Sequence, residues 1–154
     1  MGKANGMSIV ERIEEDMYNA MREKDSDKVR TLRMALSSIK YAAKEKRTEL
    51  DDLAVIAVLQ KEIKIHQETI EEAKKGNRQD IIEENIKDIQ VLEKYLPQPL
   101  SESELDALVL KIIKETGAKS KHDMGKVIQI AMKEVNGRAP NQLISQSIRK
   151  FLTG

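Results

Sequence analysis

Apolar residues recur along the chain at the spacing of one helix face, and each run is closed by recognisable punctuation. Ser8 with Glu11 three residues on forms a capping box. It opens a helix whose stripe is Val10, Ile13, Met17, Ala20 and Met21. Lys24-Asp25-Ser26-Asp27 interrupts it, and Asp25 or Ser26 caps a second helix of about twenty residues carrying Val29, Leu32, Leu36, Ile39 and Ala43. A turn at 48–52 leads into a third helix with Leu53, Ile56, Leu59, Ile63 and Ile70. This helix stops at Gly76-Asn77, where the glycine suits the left-handed conformation that follows many helix ends. A fourth runs from about 78 to 95 on Ile82, Ile86, Ile89 and Leu92.

Pro97-Gln98-Pro99 ends that helix, because proline lacks the N–H and restricts the residue before it. Beyond it, Ser101 with Glu104 makes a second capping box for a fifth helix, which buries Leu105, Leu108, Val109, Ile112 and Ile113 and stops at Gly117. A sixth opens at Ser120 with Asp123 at its third position. Its stripe is Met124, Val127, Ile128, Ala131, Met132 and Val135, ended by Asn136-Gly137. Pro140 suits the first turn of a seventh helix with Leu143, Ile144, Ile148, Phe151 and Leu152. The expected fold is all-α with two helical subdomains. Four longer helices (8–96) precede a three-helix unit (97–154), and residues 1–7 are read as a frayed or extraneous tail.

Composition narrows the chemistry. Aromatic residues are 3% of the chain, so aliphatic side chains and Met fill the core. With no cysteine, disulfides, thiolate catalysis and Cys-ligated zinc are excluded. No apolar run approaches the roughly 20 residues that span a bilayer, so no membrane partner is expected. The start of the chain lacks the apolar stretch of a secretory signal, which makes the cytoplasm the expected location.

The search for a catalytic centre or a cofactor finds none in the residues. His66 and His122 have no metal-ligand partner at helical spacing on a buried face, and His66 reads as a structural or solvated residue on a polar face. No Gly-x-Ser-x-Gly elbow and no phosphate-cradling glycine loop occurs. Acidic pairs such as Glu71-Glu72 and Glu83-Glu84 fall on solvated helical faces.

Charge is distributed unevenly. Residues 117–154 hold seven basic against two acidic residues, a local charge of +5, and the remaining 116 residues carry −4. On the sixth helix, His122, Lys126, Gln129 and Lys133 recur opposite the apolar stripe. Lys119 and Lys121 lie at the helix N-terminus, where free N–H groups and the dipole attract anions. Arg138 follows in the next turn. The candidate nucleic-acid-binding set is Lys119, Lys121, His122, Gly125, Lys126, Lys133 and Arg138; the bland alternative is an ordinary solvated face. Gly125, inside a helix, costs about 1 kcal/mol relative to Ala. Close packing against the fifth or seventh helix is the commoner reason for such a residue, and approach of a nucleic-acid backbone is the other. Because aromatic residues do not interleave the lysines, recognition would rest on phosphates and shape, as for a structured RNA.

Two tracts resemble a known family. Tyr95-Leu96-Pro97-Gln98-Pro99-Leu100-Ser101 and Gly117-Ala118-Lys119-Ser120-Lys121-His122-Asp123-Met124-Gly125-Lys126-Val127 closely resemble the GatB/YqeY family. The stretch DKVRTLRMALSSIK from Asp27 resembles its N-terminal region. The family unites freestanding YqeY-like proteins with the helical tail domain of the GatB component of the glutamyl/aspartyl-tRNA amidotransferase. The resemblance implies two all-helical subdomains and a tRNA-holding role. By association it also implies carbon–nitrogen ligase activity with glutamine as amide donor, although no residue here could activate glutamine or ATP. The function it implies is a tRNA- or RNA-binding accessory module without its own catalytic centre. Its expected partners are tRNA or another structured RNA, and an amidotransferase or aminoacyl-tRNA synthetase complex. The alternative is a protein–protein interaction module that uses the C-terminal helices, with Met124 and Met132 as adaptable contacts.

Overall fold

The structure, a computed structural model, describes residues 6–152. Among them are seven α-helices and no strand: α1 (Ile9–Arg22), α2 (Ser26–Lys46), α3 (Asp52–Lys75), α4 (Gln79–Glu93), α5 (Glu102–Thr116), α6 (Met124–Val135) and α7 (Asn141–Phe151). The all-α class is as the periodicity predicts. Residues 1–5 of the expected tail lie outside the described residues. Contacts cluster into two compact units, one carrying α1–α4 up to Leu96 and the other α5–α7 from Pro97.

In the N-terminal unit the caps use the groups the sequence offers. Ser8 Oγ accepts from Glu11 N at 3.1 Å while Glu11 Oε1 accepts from Ser8 N at 2.9 Å. Asp25, rather than Ser26, caps α2 by accepting from Lys28 N, and Asp51 caps α3 by accepting from Ala54 N. Ile9 N donates to Asp52 Oδ1 at 3.1 Å, which pins the start of α1 to the start of α3.

Ile13, Leu32, Val55, Leu59 and Leu92 form the most buried part of this unit's core. Each such side chain contributes about 1.5–3 kcal/mol through burial. The register of α3 differs from the expected stripe: Val55 is inside while Leu53 is 44% exposed. Leu53, Val55, Ile56, Val58 and Leu59 surround the helix, so several stripes satisfy the helical period, and packing selects Val55-Leu59-Ile63. Ile86, also expected inside, is 42% exposed. The helix end at Gly76 differs as well. Gly76 has φ −97°, and the left-handed residue is Asn77 at φ 54°.

In the C-terminal unit Val109, Ile112, Val127, Ala131, Ile144 and Ile148 make the core. Leu143, expected in the α7 stripe, is 48% exposed. Pro140 stands just before the helix, as its N-cap, with φ −65° and ψ 150°. Gly117, at φ 71°, ends α5 in the left-handed conformation, and Asn136 and Gly137 do the same for α6.

Tyr95, 5% exposed, brings a hydroxyl into the N-terminal core and donates it to Asp16 Oδ2 on α1. The Arg12 guanidinium lies over the ring, 5.2 Å from its centroid. Burial, followed by the hydrogen bond to Asp16 and that carboxylate's charge, pushes the phenol well above its ordinary value, with Arg12 opposing. A phenol whose folded-state pKa is raised contributes stability that is fully present below about pH 10 and is lost as pH rises beyond it. Tyr95→Phe is therefore expected to cost about 1–2 kcal/mol in urea unfolding at neutral pH and to flatten the alkaline loss of stability. An unchanged alkaline limb in the variant would assign that loss to other groups.

Candidate functional site

The chain enters α6 through a tight polar turn. After Gly117, Ser120 caps a short 3-10 turn, Lys121–Asp123, with its Oγ accepting from His122 N at 3.3 Å. The Asp123 carboxylate turns back to accept from Lys119 N at 3.0 Å and from Ser120 N at 3.4 Å. Those two amides hold its carboxyl below the ordinary range, helped by the charges of Lys126 and His122. This changes the expected anion site. The sixth helix does not run unbroken from Ser120, and the N–H groups preceding it already face a carboxylate that the chain itself supplies.

The cations lie beside this turn and along α6. Val127, Ala131 and Val135 point into the core. At about 100° per residue, Lys126, Gln129 and Lys133 fall on the opposite side. Lys119, Lys121, His122, Lys126 and Lys133 are all exposed. Among the described residues, no carboxylate lies within the 4.0 Å ion-pair distance of Nζ of Lys119, Lys121, Lys126 or Lys133.

Two other basic residues of this unit are committed elsewhere. Lys150 pairs with Asp106 at 2.7 Å and Glu102 at 3.4 Å. Arg138, half-buried, donates from Nε to Gln98 O at 2.8 Å while its carbonyl accepts from Leu100 N at 2.9 Å. It clasps the Pro97-Gln98-Pro99 segment to the α6–α7 turn, and the α6 face consists of the lysines and His122 without it.

Gly125 is the second residue of α6, and a Cβ added there would meet nothing within 4 Å. Close packing against α5 or α7 therefore does not account for it. What remains is an exposed stretch of backbone flanked by His122 and Lys126.

His66 is less solvated than its polar neighbours in the sequence imply. Its side chain is 16% exposed, and Nδ1 lies 2.7 Å from Asn85 Oδ1 and 3.8 Å from Asp88 Oδ2. Thr31 Oγ1 donates to Asp88 Oδ1 at 2.8 Å, and Arg30 reaches Glu84 at 2.8 Å. This cluster joins α2, α3 and α4 through polar groups at the edge of the core. The single signal for it in the sequence is Glu84, Asn85 and Asp88 on one side of α4, and its role here is structural. Among the described residues no group of three His, Asp or Glu side chains could hold a metal, and no helix is long and apolar enough to cross a membrane.

Among the described residues these features define an all-helical chain whose C-terminal unit carries four exposed lysines with no carboxylate partner. The chain belongs to the YqeY-like protein family, whose model matches residues 10–152. It is 31% identical over 150 residues to "Altered inheritance of mitochondria protein 41, mitochondrial" of Pyrenophora tritici-repentis, covering 94% of this chain and 81% of that protein. It is 35% identical over 89 residues to an uncharacterized protein of Schizosaccharomyces pombe, covering 58% of this chain and 72% of that one. The protein of Lachancea thermotolerans that shares the first relative's name is 34% identical over 112 residues, with 71% and 60% covered. The cytoplasmic expectation is overturned by the name that the Pyrenophora and Lachancea relatives share, which describes a mitochondrial protein. Its physical basis was too narrow: an apolar stretch is the mark of a secretory signal only, whereas mitochondrial leaders are amphipathic and basic.

With space around Gly125 and a helical backbone, Gly125→Ala is expected to stabilise the protein by a few tenths to about 1 kcal/mol, read as a raised thermal midpoint. A lowered midpoint would mean that the glycine is required for folding.

Proposed function

We propose that the α6 face binds the sugar–phosphate backbone of a structured RNA, with tRNA the foremost candidate. The protein then acts as an RNA-binding accessory module without a catalytic centre of its own. The observation that carries this reading is the set of four exposed lysines with no carboxylate partner among the described residues, arranged before and along the side of α6 that faces away from the core. Such ammonium groups release counterions from a phosphate backbone when they bind it, whereas a lysine already paired gains little. Gly125 supports the reading, because a backbone without a Cβ lets a ribose or phosphate approach closely. The choice of tRNA, and of an amidotransferase or aminoacyl-tRNA synthetase complex as the setting, rests on the resemblance to amidotransferase tail domains. The relatives' names support a mitochondrial setting.

The alternative, a protein partner held by methionines on α6, has less support. Met124 packs against the core of its unit, and Met132, 36% exposed, is the one left outside.

A fluorescence titration of the full chain with tRNA tests the proposal. Four phosphate contacts give a slope of log affinity against log salt of about −3 to −4. Lys126→Glu with Lys133→Glu should roughly halve that slope and lower affinity at least tenfold, with an unchanged circular-dichroism melt. Absence of salt-sensitive binding at micromolar protein contradicts the reading.

A further inference from the structure

The N-terminal unit carries a second feature, on different helices and of different chemistry. Two depressions of about 660 and 690 Å³ run along α2 and meet at Ser37, which lines both. The first opens on the α1 side at Met21 and Met34, and the second on the α3 side at Tyr41 and Ile65. These four side chains are 46%, 54%, 68% and 48% exposed, a concentration of apolar surface that a solvated helix pair does not need. The lining of the second depression includes small residues, Ser37, Ser38 and Ala42 of α2 and Ala54 and Ala57 of α3, beside Leu50 and Val58. On α2, Met34, Ser37, Ser38 and Tyr41 follow the i, i+3, i+4, i+7 spacing of a single helical face.

The rim is basic. Lys24, Arg30 and Arg33 line one depression, and Lys46 and Lys61 line the other with a single acid, Glu62. Glu62 already accepts from Ser38 Oγ at 2.7 Å, and Arg30 is held by Glu84. Lys24, Arg33, Lys46 and Lys61 have no carboxylate within the 4.0 Å ion-pair distance among the described residues. Each depression therefore carries two cations with no carboxylate partner among the described residues.

We infer that this trough docks an acidic amphipathic helix of a partner protein, whose apolar stripe lies over Met34, Ser37 and Tyr41 and whose flanking Asp and Glu meet Lys24, Arg33, Lys46 and Lys61. Charge decides among the occupants. A second copy docked through α2 about a two-fold axis, helices antiparallel, would bring Lys24 and Arg33 of one chain towards Lys46 of the other, which is repulsive. A single-stranded nucleic acid would need stacking platforms, and Tyr41 is the one ring in the lining. An aliphatic and Met-lined trough with small residues in its lining fits a helix, since small residues let the partner backbone come close and methionines adapt to its side chains. The 21 residues of α2 extend over about 30 Å, enough for a partner helix of four turns.

The test uses the full chain and a fluorescein-labelled, lactam-stapled 18-residue peptide, with Leu on one helical stripe, Glu along both flanks and Ala elsewhere. Anisotropy should show saturable micromolar binding that weakens with salt. Met34→Asp or Tyr41→Asp should weaken it about tenfold, as should Arg33→Glu with Lys61→Glu, in proteins whose helical signal and melting are unchanged. Lys126→Glu with Lys133→Glu should leave it unaltered, which separates this surface from the RNA face. The inference is overturned by no saturation at millimolar peptide. It is also overturned by equal binding of the peptide with Lys in place of Glu, by competition from tRNA at these residues, or by a concentration-dependent dimer that Tyr41→Asp abolishes.

Discussion

Burial of aliphatic stripes constrains everything else in this protein. With no Trp, one Phe and three Tyr in the whole chain, its helices pack through Ile, Leu, Val and Ala. Such cores are held by shape and area, with little polar specificity, so register must come from polar groups at their margins. The margins supply them. Tyr95 bonds Asp16, Thr31 and His66 gather at Asp88, and Ser147, 3% exposed, donates to Asp106 at 2.7 Å, where Lys150 also arrives. Each joins residues of different elements, Tyr95 from the turn after α4 and the others from different helices, and each would leave a partly buried polar group unsatisfied if the helices slipped.

The same constraint leaves charge on the outside, and pairing sorts that charge into two kinds. Arg30, Arg138 and Lys150 are committed to the fold, through Glu84, Gln98 O and Asp106 respectively. Lys119, Lys121, Lys126 and Lys133 have no carboxylate partner among the described residues, and neither do the four cations around the α2 trough. That sorting weighs more than the local excess of basic residues. A net charge of +5 is compatible with an ordinary solvated surface; the proposed polyanion contact rests instead on lysines without a carboxylate partner among the described residues, of which Lys126 and Lys133 lie opposite the buried stripe of α6.

The helices and most of their ends were legible in the sequence, because caps and left-handed residues act locally: Ser8, Asp25, Ser101 and Gly117 do in space what their positions suggest. Choices made by packing were not legible. Leu53 and Val55 both satisfy the period of α3, and only the neighbouring helices decide between them. Asp123 shows the same limit at the candidate site. As the third residue of a capping box it was visible, but its carboxylate's reach to the Lys119 and Ser120 amides, which displaces the anion expected there, depends on the 3-10 turn. Arg138 sits beside the basic tract in the sequence and is drawn away from it by a carbonyl 40 residues earlier. The trough on α2 was not legible because its lining comes from α1, α2 and α3 together, and only packing places Met21, Met34, Tyr41 and Ile65 along one groove.

The central claim is that the lysines flanking Gly125 form the surface that meets RNA. The most direct measurement is a nitrogen-15 chemical-shift titration of the full chain with substoichiometric tRNA. The account predicts that amides from Lys119 through Lys133 broaden or shift first, with Gly125 among the largest changes, while those of α2 and α3 stay in place. Changes centred on α1–α4, or none at all under low-salt conditions, would contradict it.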